Sequence, residues 1–272
     1  MELLIDTCVL PRCRLEEAQI YKDRFGSDVG FELLPMFDLA AFERNLEKNL
    51  PLFTGERLFF HEPVWGVEHS APKGSRAYEK GMYHILLTQK FAEILHPTDM
   101  VYHLNNCRVP YDKKEEMLRV SLENLEEMRS LFPGTRLLVE NSGTDIERNK
   151  LLNQKEFTEL CGKKNLDVLI DIGHANANSW DLFRIITELK DHIRGYHFHN
   201  NDGMNDLHDR IYDGMIDFDE LLSFISETTP GAVWIIEYTR PEYHGAPLLE
   251  DIAALLRYKK ITDRKTHDGD SL

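Results

Sequence analysis

Eight strand-length apolar runs, recurring at intervals of roughly thirty residues, constrain this chain more than any other feature. They are "ELLID" (2–6), "VGFELL" (29–34), "RLFFH" (57–61), "MVYHL" (100–104), "RLLVE" (136–140), "DVLID" (167–171), "RGYHFH" (194–199) and "AVWIIE" (232–237). Each is rich in Val, Ile, Leu and aromatic residues, and most are followed at once by polar residues. Between them lie stretches such as "GMYHILLTQKFAEIL" and "KKEEMLRVSLENLEEMRSLF", whose apolar residues recur at three and four. That spacing belongs to helices packed on a sheet. Strand–helix alternation eight times over predicts an α/β protein built as a single (β/α)₈ TIM barrel. A doubly wound open sheet would carry a Gly-rich phosphate turn after its first strand, whereas here "TCVLPRC" follows. At 272 residues the chain is long for one domain but suits a barrel. The expected domain covers residues 1–260, with a polar tail over 261–272.

Composition narrows the function classes. The formal net charge is −15 and no strongly basic stretch stands out, so a nucleic-acid partner is not expected. No apolar run approaches the ~20 residues needed to span a bilayer. The opening "MELLIDTCVLPRC" has no basic segment and does not read as a signal peptide, so a cytoplasmic protein is expected. Cys8, Cys13, Cys107 and Cys161 form no CxxC pair and read as reduced thiols.

In a barrel of this type the active site lies at the C-terminal ends of the strands. The third run ends in His61, and the fourth holds His103. The fifth ends in Glu140, and the sixth in Asp171 with His174 three residues on. The seventh ends in His199, with Asp206 and His208 in the following loop, and the eighth ends in Glu237. His197, two residues before His199, points to the same side one layer deeper and reads as an interior histidine with a hydrogen-bond partner. Any one of these residues has an ordinary structural explanation. Together they form a ring of carboxylates and imidazoles, whose mutual repulsion a divalent cation would relieve. Mixed His/Asp/Glu ligation suits Zn²⁺, Mn²⁺, Fe²⁺ or Co²⁺ better than Ca²⁺.

The motifs "LVEN", "DIGH", "HFHNND", "DLHDRIYDGMIDF" and "IIEY" resemble the strand-end motifs of the xylose isomerase-like TIM barrels. That superfamily includes sugar phosphate isomerases and epimerases and the endonuclease IV group (AP endonuclease family 2). The likeness runs from about Leu58 to Glu237 and is strongest after Glu140. It implies two alternatives. In the epimerase-like case Glu140, Asp171, His199 and Glu237 hold one divalent metal ion (Mn, Zn, Mg or Co), and Glu140 and Glu237 move protons on either side of a small carbohydrate substrate. In the endonuclease-like case His61, His103, His174, Asp206 and His208 are additional ligands, in a multi-zinc phosphoesterase; otherwise they touch substrate. Trp65 is then a candidate pocket wall, and Arg108, Arg210 and Arg240, just past strand ends, are candidates to clamp a phosphate or carboxylate. The segments "LIDTCVLP", "EPVWGVE" after His61 and "LNNCRVP" after His103 depart from the endonuclease pattern. With the negative charge, they favour an isomerase or epimerase.

Overall fold

A computed structural model describes residues 2–11 and 14–269, with side chains through 259, so Cys13 and residues 270–272 lie outside the described residues. Eight parallel strands close into a barrel in sequence order: β1 (Leu3–Asp6), β2 (Gly30–Leu33), β3 (Leu58–Phe60), β4 (Asp99–His103), β5 (Arg136–Glu140), β6 (Val168–Asp171), β7 (Ile193–Phe198) and β8 (Val233–Ile236). β1 pairs with both β2 and β8, which leaves no free sheet edge. Each of the eight apolar runs of the sequence contains one of these strands or most of it.

The helices are α1 (Ala18–Phe25), α2 (Phe42–Phe53), α3 (Arg76–Leu95), α4 (Lys114–Leu131), α5 (Gln154–Lys164), α6 (Ile172–Ala177), α7 (Leu182–Leu189), α8 (Phe218–Thr228) and α9 (Ala246–Gly269). Their starts are set by local hydrogen bonding. Ser75 accepts from the Tyr78 N–H at α3, and Asn153 and Glu156 form a reciprocal capping box at α5. Asp181 and Asp217 cap α7 and α8. Two features differ from the sequence expectation. The final helix runs on through the stretch from 261 expected as a tail, as far as Gly269. The six-residue α6 begins directly on β6 and carries His174.

The strands' two-residue side-chain period divides the core. One set of alternate residues, including Leu3, Ile5, Phe31, Phe60, Tyr102, Val139, Ile170, Phe198 and Trp234, packs in the main core with the helices. The other set closes on itself as a second cluster of Leu4, Phe59, Val101, Leu138, Leu169, Val233 and Ile235. Two residues on from members of this inner cluster stand Asp6, His61, His103, Glu140, Asp171 and Glu237. The barrel is therefore packed with hydrocarbon in its middle and lined with ionisable groups at its C-terminal mouth. Leu138 is fully buried in the inner cluster. Leu138→Ala should lower unfolding free energy by about 2–5 kcal/mol in chemical denaturation, because the closed barrel cannot collapse onto the void; a loss below that range would mean the inner layer is loosely packed.

Candidate metal centre

β5 delivers Glu140 to the middle of the mouth, where it meets histidines from several other elements. The His103 Nε2 lies 2.9 Å from Glu140 Oε2, the His61 Nε2 3.8 Å from the same oxygen, and the His174 Nδ1 2.9 Å from Glu140 Oε1. β6 ends in Asp171, which has two tasks. Its Oδ1 accepts from the His174 N–H and starts α6, and both its oxygens lie 3.0 Å from the His199 Nε2. Gly173 makes this possible, since a Cβ there would stand 1.9 Å from the His199 Cε1.

The loop after β7 is held in place by its asparagines. Asn200 pairs with Asp209 through backbone bonds, and its side-chain amide donates to the Ile211 carbonyl. Asn201 donates to the Gly173 carbonyl and so ties the loop to α6. This places Asp206 Oδ2 3.1 Å from His174 Nε2 and 3.2 Å from His208 Nε2. His208 has a left-handed backbone, φ 48°, and its Nδ1 lies 3.0 Å from the Glu237 carbonyl oxygen. Its ring stacks on that of His199 at 3.9 Å between centroids.

His197 lies beneath this layer, as its strand period predicts. Its Nε2 is 2.9 Å from Glu32 of β2, and both residues are fully buried. Its Nδ1 faces Glu140, Asp171 and Glu237 at 3.6, 3.5 and 3.4 Å. Glu32, Asp6 and Glu62 are buried carboxylates of the same cluster that the sequence pattern did not single out. Burial and the neighbouring Glu32 charge push the Asp6 carboxyl well up, so Asp6 keeps its proton beside an ionised Glu32.

Within the cluster, carboxylates and imidazoles hold one another in their charged forms. Burial alone would raise the Glu140 and Asp171 carboxyls, but His103 beside the first and His174 and His199 beside the second hold both well below the usual range. Burial would depress the imidazoles, yet the adjoining carboxylates push His103 up to about 9 and His208 up to about 10. Hydrogen bonding remains incomplete. Glu140 Oε1, His174 Nδ1, His197 Nδ1, His199 Nδ1 and Asp206 Oδ1 are buried with no hydrogen-bond partner. Glu140 Oε1 and His174 Nδ1 approach to 2.9 Å without hydrogen-bond geometry, as two donors to one cation do. Glu140, Asp171 and His174 offer ligand atoms within 4.8 Å of one another, as do His199, His208 and Glu237, and His174, Asp206 and His208. The donor set fits a divalent metal ion.

Above the cluster opens a cavity of about 600 Å³, walled by Val64, Trp65 and Val67 on one side and by Ser142, Asn149 and Thr239 elsewhere. Trp65 is half exposed among the lining residues. The three arginines do not line the cavity. Arg210 is engaged by Asp251 of α9 through two hydrogen bonds of 2.8 and 2.7 Å. Arg240 pairs with Asp209 at 2.9 Å, and Arg108 is exposed. The basic side chain among the lining residues is instead Lys80 of α3. Asp202 is exposed and caps its own loop at Met204 and Asn205. No helix among the described residues is long and apolar enough to cross a membrane.

Eight strands thus close into a barrel with a ring of carboxylates and imidazoles at its C-terminal mouth. The sequence matches the xylose isomerase-like TIM barrel family over residues 37–259, and the chain belongs to that family. Among solved structures it is similar to a D-tagatose 3-epimerase-like protein, with 20% identity, 98% of this chain and 100% of the other covered, and a TM-score of 0.77. It is also similar to the IOLI protein with a bound zinc atom (17% identity, 97% and 96% covered, TM-score 0.73). A third is endonuclease IV from Thermus thermophilus (17% identity, 97% and 100% covered, TM-score 0.61). At these identities the likeness is one of fold. No curated protein matches the chain by sequence.

The geometry generates a mutational and a pH prediction. Gly173→Ala should cut metal content at least about tenfold by forcing His199 off Asp171, at an overpacking cost of about 1–3 kcal/mol in stability; unchanged metal content in the folded variant would show that His199 is not a ligand. Chelator-treated protein should also respond to pH in a defined direction. His103 and His208 bind their protons more tightly folded than unfolded, so their stabilisation is complete below about pH 6.5 and is lost as pH rises through 9 to 10. Its melting temperature should fall across that window, and saturating Zn²⁺ should flatten the fall. A metal-free melting temperature that is constant across the window would contradict this charge pattern.

Proposed function

We propose that the protein is a divalent-metal-dependent isomerase or epimerase acting on a small keto-sugar, sugar phosphate or related polyol. The observation that carries this reading is the placement of Glu140 and Glu237. They come from strands on different sides of the barrel, approach the same His197 Nδ1 at 3.6 and 3.4 Å, and lie at the floor of a cavity of small-molecule size. Glu140, Asp171, His199 and Glu237 would hold the ion. When bound, it would supply Lewis-acid polarisation of the substrate carbonyl, which acidifies the neighbouring C–H.

The chain's own residues do the rest. Glu140, held as a carboxylate by its histidines, takes the proton from carbon, and Glu237 returns one to the other face. One proton leaves the substrate and one arrives, and the two glutamates exchange roles in the reverse direction. Trp65, Val64 and Val67 offer an apolar wall for the carbon skeleton, and the asparagines and Thr239 offer hydrogen bonds to hydroxyl groups. A multi-metal phosphoesterase is the second reading, favoured by the convergence of His61, His103, His174, Asp206 and His208 on the same mouth.

Deuterium exchange separates the two. In D₂O with added Mn²⁺, Co²⁺ or Zn²⁺, a panel of ketoses and ketose phosphates should include one that gains deuterium beside its carbonyl, detected by NMR. Glu140→Gln and Glu237→Gln should each slow that exchange by about 10²–10⁴-fold with the fold intact. Cleavage of abasic-site DNA with no exchange into any sugar would overturn the proposal.

A further inference from the structure

The cavity wall that carries Trp65 is tied down from two sides. Asn106, in the loop after β4, donates its side-chain amide to Glu62 Oε1 at 2.8 Å and to the Val67 carbonyl at 3.2 Å, and its backbone N–H donates to Glu68 Oε2 at 2.9 Å. Between Trp65 and Val67 the chain turns through Gly66, with φ 94°. Two side chains of α3 lie against the face of Gly66 where a Cβ would stand: the His84 Nε2 is 2.9 Å from that position and the Lys80 Cε 3.4 Å. Glycine is required here both for its φ and for the room it leaves. The arm of Lys80 therefore lies across the backbone of the wall, beside Trp65, and lines the cavity.

Charge sets Lys80 apart. Among the described residues that line the cavity it is the only lysine or arginine, alongside Glu68, Glu140, Glu147, Asp206 and Glu237. None of these carboxylates pairs with it. Glu68 accepts from Ser70 and the Asn106 N–H, Glu147 accepts from the Asn149 amide, and the other three stand among histidines. Among the described residues no hydrogen bond or ion pair holds the Lys80 ammonium. Its neighbours in sequence differ: Lys73, just before α3, pairs with Glu127 at 3.1 Å, and Lys90, farther along α3, with Glu43 and Glu47 at 2.9 and 3.0 Å. His84 adds no second charge beside Gly66, because burial and the Lys80 ammonium lower its pKa. A free ammonium offers three donors, and its hydrogen bonds to an anion are about twice as strong as those to a neutral hydroxyl group.

We propose that the substrate is a ketose with an anionic group, a phosphate monoester or a carboxylate, at the end of its chain away from the carbonyl, and that Lys80 is the specificity-determining residue that binds this group. The inference rests on the isomerase or epimerase reading and narrows its substrate class. Lys80 stands outside ion-pair range of the carboxylates at the floor, so an anion held there is kept apart from the carbon between Glu140 and Glu237. The carbon chain then runs along Trp65 and Val64, with its carbonyl end at the floor. The clamp expected of Arg108, Arg210 or Arg240 falls to Lys80, since none of those arginines lines the cavity.

Calorimetric titration and deuterium exchange on the metal-loaded full-length protein test this. The probes are ketopentoses and ketohexoses, each as the neutral sugar, its terminal phosphate and its terminal carboxylate. For one skeleton, one of the two anions should bind about 10- to 100-fold more tightly than the neutral sugar, and the tighter of the two identifies the group. Lys80→Gln should remove that advantage, as a raised Kd in calorimetry and a raised KM in exchange with kcat changed far less. Lys80→Arg, which keeps the charge, should retain most of it. Calorimetry reads binding without turnover, so the two readings fail separately. An anion that binds through Lys80 but gains no deuterium would sink the isomerase reading and support the anion site. Exchange into a neutral ketose with no preference for either anion would overturn this proposal and leave the isomerase reading intact. Failure of both anions to bind in every skeleton, or an anion preference unchanged in Lys80→Gln, would overturn it as well.

Discussion

Buried negative charge at the barrel mouth is the constraint on which the rest of the structure depends. Asp6, Glu32, Glu62, Glu140, Asp171 and Glu237 are all buried near one another. Such a group cannot stay ionised in a low-dielectric interior without positive partners. The histidines meet part of that demand, and Asp6 meets another part by keeping its proton. Among the described residues, the buried oxygen and nitrogen atoms still lacking partners are ones a cation would satisfy. The same demand explains the backbone around the cluster. Gly173 has no Cβ because His199 occupies that space, and His208 adopts a left-handed φ while its ring reaches the Glu237 carbonyl.

The inner hydrocarbon layer and the ionisable layer are two steps of one alternation. Leu4 leads to Asp6, Phe59 to His61, Val101 to His103, Leu138 to Glu140 and Leu169 to Asp171. The lower layer holds the barrel closed and dry, and the upper layer inherits its rigidity. Groups carried on strands of a closed sheet stay within hydrogen-bond reach of one another at little further entropic cost. The loops add what strands cannot reach: His174 from α6, Asp206 and His208 from the loop after β7, and Trp65 from the loop after β3.

This division decides how much was legible in the sequence. The barrel was legible because each strand is a compact apolar run with a helical period on either side. At strands three to eight the site was legible too, because the last inward residue falls at or next to the end of the run. Glu32 escaped notice because its run continues to Leu34, which makes it look like a mid-strand residue. Asp6 ends the first run but was not among the residues singled out there. The helix α6 is too short for a periodic signal and is capped by the last residue of β6, Asp171. Arg210 and Arg240 looked like substrate clamps by position. Their long side chains turn instead to Asp251 and Asp209, and no strand pattern encodes that choice. The Glu62–Asn106 contact joins two loops 44 residues apart, so it exists only once the barrel has closed.

The account stands on a cation at Glu140, Asp171, His199 and Glu237. Anomalous X-ray scattering from crystals of the purified protein, recorded on either side of the absorption edges of Mn, Co and Zn, tests it most directly. The account predicts a strong edge-dependent peak in contact with those four side chains. An anomalous map with no peak among them, in crystals grown with excess metal, would contradict it.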